Sequence, residues 1–152
     1  MVSNNIKAVA PLCNDKFKWE NSEKYGYASN WSERHAAYIS GLGTFGLCQG
    51  LISHVGKAAR YGSVIVNIDL PKTIRKYSTY NEYCLADDGC TACIERCPAG
   101  AITKEGHNKS ICSRYQRDFV IPYAKEHFNF EGSYGCGLCQ TNVPCQSKNP
   151  RK

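Results

Sequence analysis

Eight of the ten cysteines in this 152-residue chain lie between residues 84 and 145, and three of them form the run CxxCxxxCP at Cys90, Cys93 and Cys97. Thiols this dense either pair as disulfides or bind metal. The stretch MVSNNIKAVAPLC lacks the basic start, apolar core and cleavage site of a secretory signal. No segment approaches the about eighteen apolar residues of a membrane span. We therefore expect a cytoplasmic protein without a membrane partner, whose thiols stay reduced and bind metal.

The spacing of the cysteine run indicates which kind of metal group it suits. CxxCxxxCP supplies three of the four positions by which bacterial-type ferredoxins bind cubane iron-sulfur clusters. Two residues between Cys90 and Cys93 aim both sulfurs at neighbouring irons, and backbone amides between them offset the negative charge. Three more residues carry Cys97 onto the next turn, facing a second cluster, and Pro98 stiffens the exit. Cys84, six residues before Cys90, can complete the run on a longer loop.

Eight thiols are enough for two [4Fe-4S] clusters. Because the last cysteine of each run binds the opposite cluster, we predict two interleaved sets of ligands. The first set is Cys84, Cys90, Cys93 and Cys145. The second set is Cys97, Cys112, Cys136 and Cys139. Cys13 and Cys48 remain, and each is interpreted as a small buried apolar residue.

Structural zinc is the alternative for the same cysteines. The CxxC pairs that begin at Cys90 and Cys136 could form one all-thiolate tetrahedral site. That site would leave four cysteines without a role, namely Cys84, Cys97, Cys112 and Cys145. It would also leave the CxxxCP spacing unexplained, so the sequence favours clusters over zinc, and both over a disulfide framework.

The formal net charge of +6 indicates a basic protein. Its densest basic neighbourhood, interpreted as a solvated surface, consists of Lys57, Arg60, Lys72, Arg75 and Lys76. A nucleic-acid interface would combine a basic patch with exposed aromatic residues or a known reading motif, and the sequence has neither. We therefore expect no nucleic acid as the main partner.

The four histidines are isolated from one another in the sequence. We interpret His35 and His54 as packing or capping residues, because an unpaired histidine seldom binds metal alone. His107 and His127 lie in polar segments, which predicts that both face solvent.

Local patterns predict several elements along the chain. IKAVAPL predicts a short strand, and SERHAAYIS predicts a helix with Ser32 as N-cap and Gly41 just past its end. The β-branched run GSVIVNIDLP, between Gly62 and Pro71, is the clearest strand signal. From Cys84 onward we expect only short helical runs, with a frayed tail CQSKNPRK. We place a domain boundary within residues 72–83, which separates residues 1–76 from residues 77–152.

The segment GLGTFG at residues 41–46 fits the pattern GxGxxG. A dinucleotide site requires a strand before the glycines and a helix after them, whereas here a helix precedes. We therefore expect Gly41 to cap that helix and Gly43 and Gly46 to permit a tight turn.

Three elements in a fixed order resemble the C-terminal half of the epoxyqueuosine reductase and reductive dehalogenase superfamily. They are HAAYISGLGTFGLCQGLISHVGKAARYGSVIVNIDLP, the CxxCxxxCP run, and the later ICSRY and YGCGLC. The resemblance covers about residues 25 to 145. It implies an α+β fold, in which a partial nitroreductase-like α/β segment of a corrinoid domain precedes a bacterial-type two-cluster ferredoxin module.

The resemblance also implies cobalamin as a further cofactor and gives roles to individual residues. Small residues that would lie near the cobalamin tail are Gly41, Gly43, Thr44, Gly46 and Ser63. Counting back from Gly41, Tyr27, or Tyr25 beside it, is the candidate proton donor. A basic neighbour such as Arg60 would tune its phenol.

Taken together, the residues and the resemblance predict an iron-sulfur electron-transfer protein with two [4Fe-4S] clusters, whose partner is a redox protein or a corrinoid. The alternative is a cobalamin-dependent reductase that acts on a modified nucleoside or an organohalide. A weaker alternative is a zinc-stapled binding module. The sequence leaves open whether the chain is an enzyme and what its oligomeric state is.

Overall fold

The computed structural model describes residues 5–23, 26–131 and 135–152. Its strands are β1 (Ala8–Val9), β2 (Trp19–Ser22), β3 (Gly26–Ser29), β4 (Gly43–Phe45), β5 (Leu51–Ser53), β6 (Ile65–Val66), β7 (Ile102–Thr103) and β8 (Gly106–His107). Its α-helices are α1 (Glu33–Ile39), α2 (Ala92–Glu95), α3 (Lys109–Tyr115) and α4 (Ile121–Phe128). In the described ranges the strands pair antiparallel as β1-β6, β2-β3, β4-β5 and β7-β8. The protein is thus a small mixture of helices and strands with short sheets. None of the helices in those ranges has the length and apolar character needed to cross a bilayer.

Helix α1 begins and ends as its sequence predicts. The Ser32 side chain accepts a hydrogen bond from the His35 backbone N–H, which satisfies one free donor of the first turn. Past the C-terminus, Gly41 adopts φ +83°, and Leu42 N donates to Ala37 O at 3.0 Å. This left-handed glycine closes the helix and turns the chain directly into β4.

The glycine-rich segment forms the hairpin β4-β5. A Cβ on Gly43 would lie 2.1 Å from the carbonyl oxygen of Ile52, so glycine is required there by the close approach of two strands. The turn lies further on, where Gly46 N donates to Gly50 O at 2.8 Å. The expected turn is therefore correct for Gly46 and wrong for Gly43, which is a strand residue.

The strand predicted between Gly62 and Pro71 is mostly wrong. Only Ile65 and Val66 form a strand, pairing with Ala8 and Val9 of the predicted N-terminal strand. β-branched residues form a strand only where a partner supplies ladder hydrogen bonds, and here the partner is two residues long. Beyond it, Ile68 and Leu70 are exposed.

Hairpin β4-β5 links the parts of the core. Leu51 and Phe45 pack with Ala37 of α1, and Ile52 packs with Tyr77 and Tyr83. Cys48, in the turn of the hairpin, packs with Cys93 and Ile102 of the cysteine-rich part. The hairpin therefore positions the cysteine-rich part against the N-terminal part.

The expectation of only short helical runs after Cys84 is wrong. Helix α3, a π-helical stretch Gln116–Val120 and α4 follow each other without a break. Asn108 caps the start by accepting from Ser110 N and Ile111 N, both at 3.1 Å. Pro122 lies in the first turn of α4, where the local hydrogen-bond pattern tolerates it.

The C-terminal tail is ordered, which contradicts the predicted fraying. Lys57 N and Ala58 N both donate to Gln146 O at 2.9 Å, and Asn149 is buried. Arg151 pairs with Asp88 at 2.7 Å and donates to Cys84 O at 2.8 Å. These contacts with distant residues tie the tail to the loop that carries Cys84.

Candidate metal-binding site

The first predicted set of cysteines surrounds one small cavity. Its volume is about 20 Å³, and the thiol residues that line it are Cys84, Cys90, Cys93 and Cys145. The rest of its lining is largely apolar and includes Leu47, Val143 and Pro150. Four cysteines therefore share one cavity, and the buried Lys57 also lines it.

Short turns bring these four cysteines together. Cys84 N donates to Asn81 O at 2.8 Å, and Cys90 N donates to Leu85 O at 3.0 Å after the left-handed Gly89. Cys93 lies in the first turn of α2. Cys145 follows Pro144, and its carbonyl accepts from Lys57 N at 2.8 Å.

The second predicted set lies beside the first, because Cys139 of the second set and Cys93 of the first both contact Cys48. Burial raises the pKa of the Cys112 thiol above its ordinary value. Cys97 and Cys136 lie close enough to Cys112 for negative charge on either of them to raise the pKa of Cys112. Cys112 is likewise close enough to act on the pKa of Cys139.

Hydrogen-bond donors already point at two sulfurs of the second set. Ala101 N donates to Cys97 Sγ, and Gln116 Nε2 donates to Cys112 Sγ, both at 3.2 Å. Such donors stabilise the charged form of a sulfur ligand and tune a bound metal group. The π-helical stretch begins at Gln116, so the helix geometry changes at the residue whose side chain donates to Cys112 Sγ.

The two remaining cysteines have different environments. Cys13 is exposed, so the prediction of a buried filler is wrong for it. Cys48 is buried as predicted, but it is more than a filler, because it contacts Cys139 of the second set and Cys93 of the first. Hydrogen bonds from these two thiols hold the pKa of Cys48 well below its ordinary value, and they raise the pKa of Cys93 and Cys139 in return.

Lys57 is the functional candidate that the sequence missed. It was predicted to lie on a solvated surface, but it is only 3% exposed, and its Nζ lies 3.2 Å from Cys48 Sγ. Burial alone would lower its pKa, yet negative charge on Cys48 and then on Cys145 raises it above the ordinary value. No local signal marks this lysine, because its burial comes from Gly50 and from the distant C-terminal tail.

The donor set fits iron-sulfur clusters. Two sets of four cysteines match the four thiolates that each [4Fe-4S] cluster takes. The cavity is small, so this fit rests on the donor chemistry and not on its volume. In the part of the chain that the structure describes, no group of three or more His, Cys, Asp or Glu side chains forms a site for a metal ion.

A large cleft of about 1650 Å³ lies between the N-terminal part and the cysteine-rich part. The cysteines that border it are Cys84 and Cys90 of the first set and Cys112 of the second. Tyr27 lies on its wall, is 53% exposed, and stacks on Trp19 with ring centroids 4.9 Å apart. A molecule in this cleft would therefore contact both an aromatic wall and the edges of the two sets.

The residues that the resemblance placed near a cobalamin differ in their access to this cleft. Gly46 lines the cleft, as do Tyr27 and Arg60, whose guanidinium donates to Gln140 Oε1 at 3.4 Å. Thr44 is fully buried, and Ser63 Oγ accepts from Trp31 Nε1 at 3.1 Å. Gly41 and Gly43 have the structural roles described above. Tyr25 lies outside the described residues.

The histidines correct two further expectations. His35 packs against Phe45, with ring centroids 4.9 Å apart, and its Nδ1 lies 2.7 Å from Oγ of the N-cap residue Ser32. His54 is exposed, which contradicts a packing role, whereas His127 is exposed as predicted. His107 is not solvent-facing: it is half-buried on the wall of the cleft, and burial lowers its pKa.

The fold and the site thus define a small, cysteine-rich protein of mixed helices and strands, with a cleft beside its thiols. The chain is similar to epoxyqueuosine reductase of Bacillus cereus, with 29% identity over 119 residues. The alignment covers 74% of this chain but only 29% of that protein. No family model matches the chain, and no solved structure does. The similarity supports a relation to the epoxyqueuosine reductases and suggests a reductase-related function.

Proposed function

We propose that this protein binds two [4Fe-4S] clusters and transfers single electrons through them. The observation that carries the proposal is that Cys84, Cys90, Cys93 and Cys145 line one cavity, whose other lining residues are apolar except for Lys57. The second set, Cys97, Cys112, Cys136 and Cys139, would hold the other cluster. When bound, such clusters change charge by one electron without rearrangement of the chain.

The protein's own groups would adjust and direct this chemistry. The donors Ala101 N and Gln116 Nε2 face sulfurs of the second set and favour their charged form. Cys84 and Cys90 border the cleft, so the first set is close to any molecule that binds there. A redox partner protein that docks over this cleft is the proposed acceptor or donor.

The test is anaerobic purification followed by counts of iron, acid-labile sulfide, cobalt and zinc per chain. We expect brown protein with about eight irons and about eight sulfides, since each of the two [4Fe-4S] clusters contains four irons and four sulfides. Cys90→Ser and Cys112→Ser should each retain about four irons, because each removes one ligand from a different set. The control Cys13→Ser, at an exposed cysteine, should keep all of them. Zinc without sulfide would contradict the proposal.

A cobalamin-dependent reductase is the second candidate, because the cleft is large and is bordered by Tyr27, Gly46 and cysteines of both sets. Cobalamin bound there would supply a cobalt centre that accepts electrons, and Tyr27 would donate a proton to the substrate. Hydroxocobalamin added to the iron-loaded protein should then bind in a one-to-one ratio, measured by equilibrium dialysis. Absence of binding at millimolar cobalamin would leave electron transfer to a partner protein as the function.

A further inference from the structure

Lys57 is a buried cation without a carboxylate partner in the part of the chain that the structure describes. Its side chain is 3% exposed, and the ion pairs seen there are Lys125 with Glu131 and Arg151 with Asp88. A charge removed from water needs a compensating charge nearby, because the low dielectric of the interior penalises an isolated ion strongly. The group that Lys57 Nζ does contact is Cys48 Sγ, at 3.2 Å.

Cys48 lies between the two predicted sets of ligands. It contacts Cys93 of the first set and Cys139 of the second, and its sulfur lies 3.9 Å from the Cys139 carbonyl oxygen. The ammonium of Lys57 is therefore within electrostatic reach of both sets. It acts on Cys145 and Cys93 of the first set, and on Cys139 of the second.

The surrounding backbone holds this lysine in place. Lys57 N donates to Cys145 O at 2.8 Å, which couples its backbone to a residue of the first set. Its stem crosses Gly50, where an added Cβ would lie 2.7 Å from Lys57 Cδ and 2.9 Å from Cγ. The absence of a side chain at position 50 thus makes room for the buried stem.

We propose that Lys57 is a positioning residue that raises the reduction potential of the two clusters, and of the first one more strongly. This inference rests on the proposed function. Reduction adds negative charge to a cluster, so a fixed cation nearby stabilises the reduced form. In a buried setting that interaction is weakly screened. The charge of Lys57 acts more strongly on the first cluster because two of its predicted ligands, Cys93 and Cys145, are neighbours of Lys57.

The test is an anaerobic redox titration of the iron-loaded protein, followed by electron paramagnetic resonance. Lys57→Met keeps the length of the stem and removes the charge. We expect the ratio of reduced to oxidised first cluster to fall about tenfold at a fixed solution potential, which is about 59 mV more negative for a one-electron couple. Lys57→Arg should stay close to wild type. Lys72→Met, at an exposed lysine outside the site, is the matched control and should not shift either cluster.

The outcomes separate the two proposals. Wild-type protein without iron would refute the clusters themselves. Lys57→Met with a full complement of iron but unchanged potentials would overturn only the role of Lys57. If Lys57→Met loses iron, Gly50→Ala decides, because it keeps the charge while displacing the stem. Its clusters should then also become harder to reduce, and potentials equal to those of the wild type would contradict the inference.

Discussion

Burial distinguishes two kinds of residue within the glycine-rich segment. Gly46 lines the cleft, whereas Thr44, two residues earlier, has no solvent exposure. The Thr44 hydroxyl accepts a hydrogen bond from Tyr83 N at 2.8 Å and so connects the hairpin β4-β5 to the residue before Cys84. The buried Thr44 hydroxyl therefore has a structural role as the hydrogen-bond acceptor for Tyr83 N.

Replacement of Thr44 by valine tests this role. Thr44→Val keeps the shape of the side chain but leaves the buried N–H of Tyr83 without a partner, so we expect the free energy of unfolding to fall by about 1–3 kcal/mol. Denaturant unfolding of the anaerobic protein would measure it. Thr79→Val, at an exposed position, is the control and should change little. Equal stability of Thr44→Val and wild type would show that the hydrogen bond is unimportant.

At the scale of elements, the C-terminal segment is held by the loop that follows β5. Gly56 has φ +87°, and a Cβ there would lie 2.2 Å from the carbonyl oxygen of Gln146. That contact positions the residue next to Cys145. The loop after β5 therefore determines where one predicted ligand of the first set lies, although the two are far apart in sequence.

We expect Gly56→Ala to move this segment. The left-handed backbone and the clash with Gln146 together should cost more than about 2 kcal/mol of stability. The displaced Cys145 should lower the iron content toward the level of a single cluster, measured per folded chain. Gly62→Ala, where an added Cβ meets nothing within 4 Å, is the matched control. Full iron content in Gly56→Ala would contradict a ligand role for Cys145.

At the scale of the whole molecule, thiols occupy a large share of the interior. Cys48 and Cys93 belong to the core, and the partly buried cysteines that pack against core residues are Cys84, Cys97, Cys139 and Cys145. Reduced thiols pack as small apolar groups, but they cannot crosslink the short loops that carry them. Metal bound to those sulfurs would join the loops, so binding and folding should be coupled.

Removal of iron should therefore destabilise the entire protein. After anaerobic treatment with a chelator and a thiol reductant, we expect the melting temperature to fall by at least about 10 °C. Circular dichroism would follow the transition. Addition of iron and sulfide should restore it, which is the control for irreversible damage. An unchanged melting temperature would mean that the cysteine-rich part folds without metal.

Rules based on neighbouring residues predict a structural feature correctly when the residues that determine it are adjacent in the sequence. The cap of α1 depends on Ser32 and Gly41, both next to the helix, and both were predicted. The run from Gly62 to Pro71 failed because a strand needs a partner, and the partner's length is not encoded within the run. The long helix that begins at Lys109 was missed because a proline usually ends a helix, whereas Pro122 lies in the first turn of α4, just after the π-helical stretch.

The sequence by itself determined that this protein is cysteine-rich, where α1 lies, and which spacing of thiols suits iron-sulfur clusters. The ligand sets themselves stay predictions. Only the tertiary structure decided that Cys48 and Lys57 lie between those sets and that a cleft borders them. The physical reason is that burial is a property of contacts between distant segments: Lys57 is enclosed by Gly50 and the C-terminal tail, and nothing in its own neighbourhood reveals this.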